Sequence, residues 1–75
     1  VNDLLTIDER LKELRKQKKL TQKQVAKAIG LGDSNYQAYE QKKVKPGHDM
    51  IIALSKFFGV SADYLLGLSD DPERR

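Results

Sequence analysis

The sequence predicts an all-α domain, a compact bundle of five short helices. Three observations carry that reading. Apolar residues recur at helical spacing in successive segments, capping residues and glycines bracket those segments, and no run alternates in the two-residue period of a strand. Seventy-five residues make one small domain, and a chain of that size buries only about 60% of its unfolded surface. It has no cysteine, so neither a disulfide nor a thiolate metal site is expected to supplement the core. Helix-on-helix packing in a reducing, cytoplasmic setting fits best.

Residues 1–6 read as a leader, 7–68 as the domain and 69–75 as a tail or the start of a linker. From Ile7 the apolar positions Ile7, Leu11 and Leu14 define a first helix, with Thr6 or Asp8 to cap its start and Lys18 and Lys19 near its end. Thr21 stands before a second helix, and Gln24 three residues later completes a reciprocal capping box. Val25, Ala26 and Ile29 form its inward stripe and Gly30 its terminator. The turn Leu31-Gly32-Asp33-Ser34 leads to a third helix, Asn35 to about Gln41. A basic loop, Lys42 to Lys45, closes at Pro46-Gly47. A fourth helix spans roughly Asp49 to Phe58. Ser61 caps a fifth, Ala62 to Leu66, which Gly67 ends.

The net charge is only +3, but it is unevenly distributed. Between Arg10 and Lys45 eleven Lys and Arg residues face three acids, a balance of +8, and the remainder carries three bases and eight acids, −5. That asymmetry suits a polyanion, although a solvated basic face would look the same. No apolar run approaches the ~20 residues of a membrane span. His48 is the only histidine, so no metal site is expected. Neither a nucleophile–base pair nor a Gly-rich phosphate loop is evident, and catalysis is not expected.

The second helix, the Gly-containing turn and the third helix form a helix-turn-helix arrangement. Ala26 is small where the two helices would cross, and Gly30 sits where the backbone must turn sharply. Leu31, Tyr36 and Tyr39 fall inward. Ser34, Asn35, Gln37, Ala38 and Gln41 face outward, a surface of amides and a hydroxyl of the kind that reads base edges. Tyr36 is expected in the core rather than as a stacking residue.

The segments Arg10-Leu-Lys-Glu-Leu-Arg, Leu20-Thr-Gln-Lys-Gln-Val-Ala, Ile29-Gly, Tyr39-Glu, Lys43, Pro46, Leu54 and Gly59-Val-Ser-Ala-Asp-Tyr-Leu-Leu-Gly, in this order and spacing, resemble the xenobiotic-response-element family of lambda-repressor-like domains. The resemblance covers about residues 8 to 67. It implies sequence-specific binding to double-stranded DNA, typically as a dimer on a pseudo-palindromic operator, by a transcriptional regulator and most often a repressor. It matches Gln22 to a phosphate contact, where a helix N-terminus also favours an anion, with Lys23 and Lys27 as neighbours. Lys43 and Lys45 match phosphate contacts in the loop after the third helix. Asp33, Ser34 and Ala38 fall at base-contacting positions, flanked by Asn35 and Gln37. Arg15 and Glu40 match a structural ion pair.

Two positions depart from the family pattern. Gly32 replaces the usual capping Ser or Thr, so Asp33 is expected to cap the third helix in preference to reading a base. Tyr36 replaces a mid-helix Ile or Val. More aromatic and aliphatic residues gather between Phe57 and Leu66 than a short terminal helix needs, which suggests a weak homodimer through the C-terminal helices. The competing reading is an antitoxin or protein-interaction module on the same fold.

Overall fold

A computed structural model describes residues 6–69 and 71. The proposed leader, apart from Thr6, and most of the proposed tail lie outside those residues. The described chain forms α1 (Ile7–Gln17), α2 (Gln22–Ala28), α3 (Asp33–Glu40), α4 (His48–Phe58) and α5 (Ala62–Leu65), with no strand among them.

Helices α1, α2 and α5 start at the Thr or Ser that the sequence offers as a cap. Thr6 heads α1, its amide donating to the Glu9 carboxylate at 3.2 Å and its hydroxyl to the same oxygen at 2.7 Å. At α2 the reciprocal box is complete: the Gln24 amide donates to Thr21 Oγ1 at 3.1 Å, and the Thr21 amide to Gln24 Oε1 at 2.8 Å. Ser61 accepts from the Tyr64 amide at the head of α5. The start of α3 differs from expectation. The helix begins two residues earlier, at Asp33, and its N-cap is Gly32 with no side-chain cap bond. Asp33 is thus the first helical residue and does not cap. Gly32 adopts the extended cap conformation itself, and glycine is nearly as good at that position as a side-chain cap.

All five helices end in the same way. The amide two residues beyond the C-terminal turn reaches back to a carbonyl five residues earlier: Leu20 to Arg15 (3.1 Å), Leu31 to Ala26 (2.8 Å), Lys43 to Ala38 (2.9 Å), Val60 to Ser55 (3.1 Å) and Leu68 to Asp63 (2.9 Å). This is the Schellman closure, and it requires a left-handed residue just before the donor. Those residues are Lys19, Gly30, Lys42, Gly59 and Gly67, all with φ between 58° and 77°. The closure also returns Leu20, Leu31 and Val60 to the hydrophobic cluster. At α3 the returning residue is the exposed Lys43.

The core assembles Leu11 and Leu14 from α1, Val25 and Ala26 from α2, Tyr36 from α3, Leu54 and Phe58 from α4, with Val60 and Leu65 beyond. Ala26 is fully enclosed, where α2 packs closely on α3. Of the C-terminal apolar set, Phe58, Val60 and Leu65 are buried and Phe57 and Tyr64 partly so, while Leu66 and Leu68 are 41% and 71% exposed. Arg10 is buried as well, at 3% exposure, with its guanidinium 3.8 Å from the centre of the Tyr64 ring. A cation stacked on an aromatic face in this way joins α1 to α5.

No atom lies within 4 Å of a Cβ built on Gly30, so its requirement is conformational. Gly30→Ala is expected to cost about 1 kcal/mol, or roughly 4–8 °C in Tm. Lys19 already bears the left-handed penalty, so Lys19→Gly is expected to lose no stability. Equal losses at the two sites in thermal unfolding would contradict this account.

Candidate nucleic-acid interface

Helix α3 has a sharply divided circumference. With about 100° per residue, Tyr36 and Glu40 lie close together on the inner side, and both are almost completely enclosed. Ser34 and Ala38 lie opposite, Asn35 to one side and Gln37 and Gln41 to the other, while Asp33, at the open first turn, falls on the same angular side as Glu40. Asp33, Ser34, Asn35 and Gln41 are exposed, and Gln37 and Ala38 half-buried. The structure therefore brings the five proposed base-reading residues onto one helix. The outer arc carries hydroxyl, amide and methyl groups, and the exposed Asp33 carboxylate stands apart from it at the first residue.

The inner side holds that arc in place. Glu40 accepts two hydrogen bonds from Arg15 of α1, from Nε at 2.7 Å and Nη2 at 3.2 Å. Arg15 Nη1 also donates to the Leu20 carbonyl at 2.9 Å, in the turn that leads to α2. Gln22, the first residue of α2, donates through Nε2 to Glu40 Oε1 at 3.0 Å. One carboxylate thus links α1, α2 and α3. Burial pushes the Glu40 pKa up, but the bonds from Arg15 and Gln22 and the neighbouring Tyr36 hydroxyl outweigh it and hold the group below the ordinary 4.5. The bond to Glu40 in turn raises the Arg15 pKa. Tyr36 is fully enclosed, and its hydroxyl has no hydrogen bond of good geometry. Its pKa is raised by that burial and by the adjacent carboxylate.

The proposed phosphate-contacting lysines are all exposed: Lys23 and Lys27 on α2, Lys43 and Lys45 in the loop after α3. Gln22 is half-buried and already engaged with Glu40 through one amide hydrogen. Two cations of the basic stretch, Arg10 and Arg15, turn inward, so net charge in sequence overstates the charge presented outside. Periodicity identifies Arg10 and Gln22 as inward positions. Arg10 completes the series Ile7, Arg10, Leu11, Leu14, and Gln22 the series Gln22, Val25, Ala26, Ile29, both at i, i+3, i+4, i+7.

The bundle and the divided third helix define a helix-turn-helix domain of the lambda-repressor type. The chain belongs to the helix-turn-helix domain family, whose model matches residues 9–70. It is 46% identical over 65 residues to the HTH-type transcriptional regulator YobD of Bacillus subtilis, covering 87% of this chain and 58% of that protein. It is 38% identical to the HTH-type regulator ImmR of the same organism, over 84% of this chain and 50% of the relative. Against the cryptic phage CTXphi transcriptional repressor RstR of Vibrio cholerae, identity is 34%, over 81% and 55% respectively. The chain thus spans about half the length of the curated relatives it matches. Among solved structures it resembles the P22 c2 repressor crystallised with a synthetic operator. There the TM-score is 0.81 at 29% identity, with 87% of this chain and 98% of that one covered.

Removing one partner of an enclosed ion pair leaves the other charge uncompensated. Arg15→Ala is therefore expected to cost about 3 kcal/mol, lowering Tm by more than about 10 °C. A variant that melts with the wild type would show that the pair contributes nothing to stability. Because the folded-state pKa of Glu40 is depressed, its contribution is complete above about 4.5 and is lost as pH falls through the lower folded value. Acid unfolding should be shallower in Arg15→Met/Glu40→Leu, which has no such group to protonate.

Proposed function

We propose that the domain binds double-stranded DNA sequence-specifically and serves a transcriptional regulator, most simply a repressor, by occupying an operator in the bacterial or phage-infected cytoplasm. The observation that carries this reading is the outer arc of α3, short enough and polar enough to enter a major groove. Gln22, Lys23, Lys27, Lys43 and Lys45 set the register on the backbone. Ser34, Asn35, Gln37 and Ala38 read bases, the last through a thymine methyl. Asp33, free of any capping role, accepts from a cytosine amino group. The relatives' names and the operator complex of the P22 c2 repressor support the same assignment.

The domain acts as a weak homodimer in this reading, with half-sites about one helical turn, some 34–36 Å, apart. Support comes from the exposed Leu66 and Val44, which line one cleft of about 360 Å³ together with Ile7 and Tyr39. No helix among the described residues is long and apolar enough to cross a membrane.

Selection from a random duplex library at about 100 mM salt, where nonspecific contacts are already weakened, tests the reading. An enriched inverted repeat is the expected outcome. Sequence-independent retention, or none, would redirect the assignment to a protein-interaction module such as an antitoxin.

Ser34→Ala or Asn35→Ala should change the preferred sequence. Lys43→Ala should weaken all sequences alike and reduce the log–log salt slope by about 0.9. Identical effects of both classes of variant on selected and scrambled duplexes would contradict this division of roles.

A further inference from the structure

Glu40 has two kinds of partner, and only one of them is needed to neutralise it. Arg15 approaches through two nitrogens, at 2.7 and 3.2 Å, and balances the charge. Gln22 adds a third hydrogen bond, at 3.0 Å, to the oxygen that Nη2 also contacts. A carboxylate accepts and cannot donate, so only the nitrogen end of the Gln22 amide can face it. That fixes which way the amide is turned. Nε2 carries two hydrogens, and the bond to Glu40 occupies one. Gln22 is half-buried and precedes exposed Lys23, and its second amide hydrogen is not taken up by Glu40.

We infer that Glu40 is a positioning residue for DNA binding, its enclosed carboxylate holding the Gln22 side chain ordered before DNA arrives, with one amide hydrogen left for a backbone phosphate. The inference rests on the reading of Gln22 as a phosphate contact and adds the residue that prepares it. A glutamine side chain is rich in rotamers, and ordering it during binding weakens the complex. Held by Glu40, it is ordered on folding. The tether also keeps the amide oxygen from being presented to the phosphate in place of the nitrogen. Arg15 cancels the carboxylate charge, so the tether adds no net repulsion toward DNA.

A double-mutant comparison on the 75-residue chain tests this. Gln22→Ala is made in the wild type and in Arg15→Met/Glu40→Leu, which removes both members of the ion pair together and leaves no unpaired charge. Affinity is measured by fluorescence anisotropy with a mixed-sequence duplex of about 20 base pairs at about 50 mM salt, where phosphate contacts carry binding. In the wild type, Gln22→Ala should weaken binding roughly tenfold, as expected for a hydrogen bond to a charged group. In the other background it should weaken binding about threefold or less, because Gln22 is no longer ordered beforehand. General effects of the background on charge and packing cancel in the comparison.

Equal losses in the two backgrounds would overturn the positioning role and leave the phosphate contact standing. No loss in either would remove the phosphate contact itself, and the inference with it. Should the Met/Leu background fail to fold, side-chain 15N relaxation of the wild type decides. The Gln22 amide group should be nearly as rigid as the backbone, and motion as free as that of the exposed Gln17 would overturn the inference.

Discussion

The carboxylate of Glu40 is the constraint on which the rest of the structure depends. It lies on the inner side of α3, nearly sealed from solvent, and receives hydrogen bonds from α1 and α2. Burying an ion pair carries a large desolvation cost, and well-packed apolar residues often stabilise as well or better. Stability alone therefore gives a weak reason for it. Direction gives a stronger one. Apolar contacts between short helices tolerate small rotations and slides, whereas a two-point guanidinium–carboxylate contact with an added amide does not. Because Glu40 and the outer arc share one helix of eight residues, fixing the carboxylate fixes Ser34, Asn35 and Ala38 in space.

The helices are short, from four to eleven residues, and isolated helices of that length are marginal in water. Their ends thus matter more than their propensities. Five repeated closures stop each helix and, at three of them, send an apolar residue back to the core. Two of the five use lysine in a conformation that glycine adopts freely. At α3 the closure delivers Lys43 to the surface instead of an apolar residue to the interior. The same backbone device serves packing in one place and surface charge in another.

Much of this is legible in the sequence, and what is not legible has two causes. The helix order, the Thr21–Gln24 box, the terminating glycines and the enclosed Tyr36 all follow from spacing and cap chemistry. Residue type alone makes Arg10 and Gln22 polar surface groups, yet both occupy inward positions of an i, i+3, i+4, i+7 series, which for Gln22 adds an inner partner to the phosphate contact proposed for it. Periodicity is a statement about position, and a long polar side chain at an inward position signals a buried partner: the Tyr64 ring in one case and Glu40 in the other. The start of α3 escapes the sequence for a different reason. Side-chain chemistry favoured Asp over Gly as a cap, but glycine at position 32 reaches the extended cap geometry without a side-chain bond, and the helix starts one residue sooner than an Asp33 cap would allow.

The division of α3 has a consequence for how such a domain can change. None of the Glu40 hydrogen bonds involves the outer arc, and Ser34 and Asn35 are exposed, so on the proposed function substitutions at those two positions alter what is read without removing what holds the helix. Surface substitutions of this kind typically shift stability by no more than about 0.5 kcal/mol. Gln22 does not enjoy that independence, since it belongs to the inner network and borders the basic surface at once. Lys23, Lys27, Lys43 and Lys45, the other proposed phosphate contacts, are exposed and take no part in the Glu40 hydrogen bonds. On the proposed function, sequence preference can therefore drift at positions 34, 35 and 38, and nonspecific affinity at the lysines. The phosphate contact proposed for Gln22 stays bound to the carboxylate that also links the three helices.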